Sequence, residues 1–222
     1  MTERLLVLGG SFDPIHWGHL RSALELVERL EFDTLLLMPC HTHAHDKRAV
    51  AAADHRLAML ELALSPYGGR LAVDDRELRR TGISYSVDSL DGIRAERGPD
   101  AIIGFVMGSD AWSSFHRWHE WSRILQLVNI VIMERADVAG LAKPEGSGEV
   151  PDALGQLEQR QAVDELADPA GGILRLGLAP QPYSSTQIRT LLASGRATDM
   201  QLDEMLPEPV LSYIRQHSLY QA

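Results

Sequence analysis

The sequence predicts an α/β fold: a Rossmann-like, open, mainly parallel twisted sheet with helices on both faces and a small C-terminal helical part. Three observations carry this. Short apolar runs without polar alternation mark strands buried on both faces. Segments with apolar residues at helical spacing lie between them. A strand, helix, strand passage is complete by Met38, and such a βαβ unit crosses over right-handed to make parallel sheet.

Arg4 to Leu8 (RLLVL) is the first strand, ended by Gly9-Gly10. From Gly18, Leu20, Ala23, Leu24, Val27 and Leu30 recur at helical spacing. Thr34 to Met38 (TLLLM) is the second strand, stopped by Pro39. Asp54 is placed to N-cap a helix carrying Leu57, Leu60 and Leu64, closed by Ser65-Pro66 and Gly68-Gly69. Leu71 to Val73 is a short strand. Ser86 is placed to cap a helix with Val87, Leu90 and Ile93, ending at Gly98-Pro99. Ala101 to Met107, Asn129 to Met133 and Ile173 to Leu178 are three further buried strands. Ser184 and Gln187 form a capping box before Ile188, Leu191 and Leu192, and Pro209 opens a last helix.

The chain has 222 residues, 45% hydrophobic and 23% charged, enough to bury one sizeable core. A single domain over 1–222 is expected. Between Arg135 and Gly172 the composition turns to Ala, Glu, Gln, Gly and Pro, so 136–172 reads as an exposed insertion with a weak helix around Ala153 to Leu166. Residues 184–222 make the C-terminal helical part. Cys40 is the one cysteine, which excludes an internal disulfide and any CxxC metal or redox pair. Thirty-one acidic against twenty-one basic residues give a net charge of −10, which disfavours nucleic acid and anionic membrane as partners. No apolar run approaches the ~18 residues that span a bilayer. MTERLLVLGG enters a strand directly, so no secretory signal is expected and the cytoplasm is the expected location.

The densest chemistry is GGSFDPIHWGHL, Gly9 to Leu20. It follows a strand and opens a helix, where backbone N–H groups and the helix dipole attract phosphate. Gly9 and Gly10 permit a sharp turn, Pro14 stiffens it, and Asp13 can bond local backbone donors. His16 and His19, three apart around Gly18, can converge on one anion. The turn is neither GxxxxGK[ST] nor GxGxxG. A second anion site is YSSTQIR: Ser184, Ser185 and Thr186 at a helix start, with Arg189 one turn on. Together the two suggest a polyphosphate held between opposite ends of the sheet, the grip that nucleotidyl transfer needs.

GSDAWSSFHRWHEW (Gly108 to Trp121) follows the AIIGFVM strand. Gly108 allows close approach, and Asp110 can accept hydrogen bonds from ribose hydroxyls. Trp112, Trp118 and Trp121 lie within ten positions, Trp118 and Trp121 one helical turn apart. One is expected in the core and another free to stack on a planar ring; the residues alone do not choose. RRTGISYSVDSL (Arg79 to Leu90) sets hydroxyls at a helix start, where Ser86 either caps or reads a ring substituent. His41, His43 and His45 alternate after a strand; a loop histidine or Lys47 on substrate phosphate is the favoured reading and zinc the minority one.

With these residues the chain resembles bacterial nicotinate-nucleotide adenylyltransferases, of the nucleotidyltransferase superfamily marked by HxGH. The likeness runs through GGSFDPIHWGHL, RLAMLELAL (Arg56 to Leu64), RRTGISYSVDSL, MGSDAWSSFHRWHEW and YSSTQIR. It implies adenylyl transfer from ATP to nicotinate mononucleotide, with Mg²⁺, giving nicotinate adenine dinucleotide and pyrophosphate. The resemblance places Gly10, Ser11 and Phe12 along the phosphate turn, with His16 and His19 on ATP phosphates. Ser185, Thr186 and Arg189 grip the triphosphate. Gly108 and Asp110 meet the adenosine ribose, and backbone at Val106 and Met107 approaches adenine. On the acceptor side, Ser86 and Tyr85, with Trp118 and His119, meet the nicotinate group, Trp118 by stacking. His45, also on the acceptor side, matches the histidine of a family loop segment whose two prolines are absent here and whose basic position is Asp46. There the family's Pro-Pro-His-Lys or Pro-Pro-His-Arg segment reads His43-Ala44-His45-Asp46, with Lys47 one place later. Three alternatives stay open: a same-superfamily adenylyl- or cytidylyltransferase with another phosphate acceptor, a non-catalytic nucleotide sensor, and a small metalloprotein built on His41, His43 and His45.

Overall fold

In the computed structural model the described residues are 2–41, 49–135 and 152–221. They form a six-stranded sheet in the order β3-β2-β1-β4-β5-β6, every neighbouring pair parallel. The strands are β1 (Arg4–Gly10), β2 (Thr34–Pro39), β3 (Leu71–Val73), β4 (Ile102–Gly108), β5 (Asn129–Arg135) and β6 (Ile173–Leu178). Each predicted run is found, shifted by at most two residues at an end. The strand order reverses between β1 and β4, the switch point beside which open α/β sheets bind ligands.

Alternate side chains sort the core into two layers. Leu6, Leu8, Leu35, Leu37, Val106, Val131 and Leu174 face one side. There they meet α1 (Trp17–Arg29), α2 (Ala53–Leu64), α8 (Ser185–Ser194), α9 (Asp199–Met205) and α10 (Glu208–Gln216). Leu5, Val7, Leu36, Met38, Ile103, Phe105, Met107, Ile130 and Ile132 face the other. That side is covered by α4 (Ser86–Arg97), α5 (Ser109–Ser114), α6 (Trp121–Leu127) and α7 (Asp152–Gln161), with the short α3 (Arg76–Arg79) at the β3 edge. Gly104 lies in mid-sheet because a Cβ there would sit 2.7 Å from Leu6 Cδ2.

The two ends of the sheet differ in kind. At the amino end, Arg94 donates to the carbonyls of Leu127, Gly98, Ala101 and Pro169, and Asn129 bonds Ile103, Asp168 and Gly172. Those bonds satisfy buried backbone and close that end. The carboxyl end carries the glycine turn and the polar side chains.

Three local expectations are corrected. The exposed insertion 136–172 is not exposed throughout its described part: Leu154 and Leu166 are buried, and Glu158 accepts from Trp112 Nε1 and pairs with Arg175. Residues 136–151 lie outside the described residues. Helix α2 starts after Ala52, not on Asp54, because the amides of Val50 and Ala51 are held by Asp13. Helix α4 has Tyr85 rather than Ser86 at its N-cap, with no side-chain cap bond. The Ser184 hydroxyl accepts from Gln187 N–H as expected, while the reciprocal box forms at Thr198 and Gln201.

Candidate active site

Strand β1 stays in register with β2 through Gly10↔Pro39 but with β4 only through Leu8↔Val106. Beyond that point the two central strands part, Gly9 and Gly10 on one lip, Met107 and Gly108 on the other. Of the two backbones expected near adenine, Val106 is paired on both sides, and only Met107 lies past the β1 ladder.

The turn after β1 is built to present imidazoles. Phe12 takes a left-handed φ of 47° and buries its ring, which meets His19 edge-on at 5.2 Å. The Asp13–Pro14 peptide is cis. His16 is the N-cap of α1, and its Nδ1 accepts the N–H of Gly18 at 3.0 Å. A neutral ring in that bond carries its proton on Nε2, which makes Nε2 a donor. Gly18 is required sterically: a Cβ would lie 2.8 and 2.9 Å from the His16 ring. The His16 and His19 rings stack with centroids 3.8 Å apart. The two histidines therefore converge, as their spacing predicts.

Helix α8 begins against this turn. Ser185 Oγ donates to the Pro14 carbonyl at 3.0 Å. Arg189 donates through Nη1 to the Asp13 carbonyl at 2.6 Å and through Nη2 to Thr186 Oγ1 at 3.3 Å. The expectation of two anion sites at opposite ends of the sheet is thus corrected. The chain returns from the β6 edge to the centre, and both sites lie on one rim. Arg56 is buried on the core-facing side of α2, among Met59, Leu60 and Ala63, and donates to the carbonyls of Ser11 and Cys40 at 2.8 Å each, tying the β1 and β2 exits together. A charged residue three and four places before Met59 and Leu60 was the signal for it. Burial pushes the Cys40 thiol up to about 11, so it stays protonated at neutral pH.

Across the crevice, Gly108 caps α5, and a Cβ on it would lie 2.5 Å from Asp110 Oδ1. Glycine is needed there to let the carboxylate fold back over the strand end. Among the tryptophans the structure chooses. Trp112 is the core residue, stacked on Phe115 at 5.3 Å. Trp118 is half-buried against Phe105 and Phe115. Trp118 and Trp121 do not share a helix, because Glu120 between them takes a left-handed φ of 48°.

Tyr85 and His119 stack at 4.4 Å, which brings the α4 start to the tryptophan segment. Ser86 follows as the first residue of α4. Ser84 Oγ accepts the His41 N–H at 3.2 Å, and the buried Glu77 accepts from Ser89 at 2.8 Å. Arg80 also donates to Ser89. Desolvation raises the Glu77 carboxyl above its ordinary value, against the pull of these hydroxyls and Arg80. His43, His45 and Lys47 lie outside the described residues.

Residues 7–191 match the family model described as cytidylyltransferase-like. Over 225 residues the chain is 39% identical to a Pseudomonas fluorescens protein named "Probable nicotinate-nucleotide adenylyltransferase", covering 100% of this chain and 99% of that one. A Cellvibrio japonicus protein of the same name is 40% identical over 220 residues, 99% of this chain and 100% of its own. The chain belongs to the nicotinate-nucleotide adenylyltransferase family. Its fold is that of a Plasmodium falciparum nicotinic acid mononucleotide adenylyltransferase complexed with NaAD, at 17% identity and a TM-score of 0.70, covering 98% and 97% of the two chains. For a nicotinate-nucleotide adenylyltransferase relative, the HxGH glycine is here explained by the His16 cap, and the hydroxyl–arginine helix by its contact with the same turn.

Proposed function

We propose that this chain moves the adenylyl group of ATP to nicotinate mononucleotide, forming nicotinate adenine dinucleotide and pyrophosphate by direct in-line displacement. The observation that carries the reading is the junction of Ser185 and Arg189 with Pro14 and Asp13. It sets the α8 start, with its first-turn N–H groups and hydroxyls, beside the two imidazoles at the parting of β1 and β4. One triphosphate can lie across that junction.

In the reaction an acceptor phosphate oxygen bonds to the α-phosphorus as the bond to the bridging oxygen of the β-phosphate breaks. No covalent enzyme intermediate is needed, so the protein's task is orientation and charge neutralisation. His16 and His19 donate to phosphate oxygens and to the charge that grows between α- and β-phosphorus. Ser185, Thr186 and Arg189 hold the outgoing pyrophosphate, and Gly10, Ser11 and Phe12 shape the turn under it. Gly108 and Asp110 hold the adenosine ribose, with backbone at Met107 and Val106 bordering adenine. Trp118, His119, Tyr85 and Ser86 line the nicotinate side, and His45 extends it. Mg²⁺ enters on the triphosphate as part of the substrate and supplies further positive charge. Among the described residues no group of three or more His, Cys, Asp or Glu is placed to hold a metal. No described helix is long and apolar enough to cross a membrane, and we place the reaction in the cytoplasm.

The test is incubation of the purified protein with ATP, Mg²⁺ and either nicotinate or nicotinamide mononucleotide. Nicotinate adenine dinucleotide and pyrophosphate are expected in equal amounts. Absence of any dinucleotide, or exclusive use of a different phosphate acceptor, would overturn the proposal.

A further inference from the structure

One buried carboxylate of the phosphate turn has no part in the chemistry above. Asp13 is 2% exposed. Its Oδ1 accepts the Tyr220 hydroxyl at 2.6 Å and the Ala51 N–H at 3.1 Å, and its Oδ2 accepts the Val50 N–H at 2.6 Å. Its carbonyl takes the Arg189 guanidinium. Local turn donors, the expected partners of an aspartate before proline, are replaced by groups 37, 38, 176 and 207 residues away.

Tyr220 reaches the turn because the chain folds back after α10. Ser218 and Tyr220 both take left-handed φ, 49° and 61°, and the Leu219 N–H bonds the Ile214 carbonyl. The Tyr220 ring is then buried among the side chains of the α1, α2 and α10 layer. A phenylalanine ring would fill that space equally well. The hydroxyl has one evident purpose, which is to donate to the carboxylate. Burial and the neighbouring anion hold the phenol above its ordinary range, so it keeps its proton.

We infer that Tyr220 is a positioning residue for adenylyl transfer: its hydroxyl aims the Asp13 carboxylate, which locks the turn bearing His16 and His19 to the backbone of Val50 and Ala51 and keeps the Asp13 carbonyl on Arg189. The inference rests on the function proposed above. Neither side chain touches substrate in it. Loss of the hydroxyl lets the turn shift by a fraction of an ångström, and in-line transfer is sensitive to that, a 1 Å misplacement costing on the order of a hundredfold. Nucleotide binding draws on many donors at once and changes less.

The experiment compares the unsubstituted chain, Tyr220→Phe and Asp13→Asn. Each is assayed with ATP and nicotinate mononucleotide, and each is titrated with a non-hydrolysable ATP analogue. Tyr220→Phe should lose about tenfold in kcat yet bind the analogue at full stoichiometry, with Kd within about threefold. Asp13→Asn, whose amide cannot accept from all three donors, should lose more if it folds. If the unsubstituted chain turns over and Tyr220→Phe stays within about twofold of it, the inference falls. It falls too if kcat and binding stoichiometry drop in parallel, because Tyr220 then only holds the fold. No dinucleotide from the unsubstituted chain overturns the proposed function, and this inference with it.

Discussion

At the residue scale, Gly18 and His19 separate two demands that the HxGH pattern combines. His19 lies against the His16 and Phe12 rings at the edge of the turn. His19→Ala should cost about a hundredfold or more in turnover, the usual effect of removing one transition-state donor, with unfolding unchanged. A well-folded variant with near-normal turnover would refute the role. Gly18 touches no substrate in the proposed reaction. A methyl there collides with the His16 ring, so the ring must swing away from its cap. Alanine is also the better helix former, by up to about 1 kcal/mol. Gly18→Ala should therefore keep stability within about 1 kcal/mol while turnover falls at least ~10-fold. Parallel denaturation and rate measurements distinguish this from a plain folding defect.

At the scale of elements, the link from β2 to the α4 start runs through a buried acid. Ser84 holds the His41 amide, Ser89 bonds Glu77, and Tyr85 stacks on His119 at the proposed acceptor side. Glu77 titrates above its unfolded value because it is desolvated. An acid of that kind contributes stability that is fully present below its unfolded pKa, 4.5, and is lost as pH rises through the raised folded value. Glutamine keeps the shape and cannot ionise. The stability of Glu77→Gln relative to the unsubstituted protein should rise as pH increases from about 4.5, then level off. Urea unfolding across that range checks it, and a flat or opposite difference would remove the desolvation argument. The same region shows where local pattern reading stops. Asp54 and Ser86 have good capping chemistry, yet α2 and α4 start elsewhere, since tertiary bonds from Asp13 and the stack on His119 set those starts.

At the scale of the whole molecule, the sheet divides stability from chemistry. Arg94 and Asn129 close the amino end with backbone carbonyls, while the carboxyl end gathers imidazoles, hydroxyls and Arg189. Among the described residues no group of three or more His, Cys, Asp or Glu is placed to hold a metal ion, and Mg²⁺ belongs to the nucleotide in the proposed reaction. Chelation with EDTA should therefore abolish turnover and leave the unfolding midpoint where it was. A midpoint that falls on chelation would reveal a structural metal and favour the reading built on His41, His43 and His45.

The strands and most helices were readable in one dimension. A parallel strand covered on both faces is a continuous apolar run, an amphipathic helix repeats at its own period, and the spacing of His16 and His19 already places their rings together. Partners separated by tens to hundreds of residues leave no such trace. Which strands adjoin, where β1 parts from β4, which tryptophan enters the core and how Tyr220 and Arg56 brace the turn were decided by sheet order and by chain return over the surface. Burial on a face is a periodic local property, whereas a contact at distance exists only once the intervening chain has been folded between its ends.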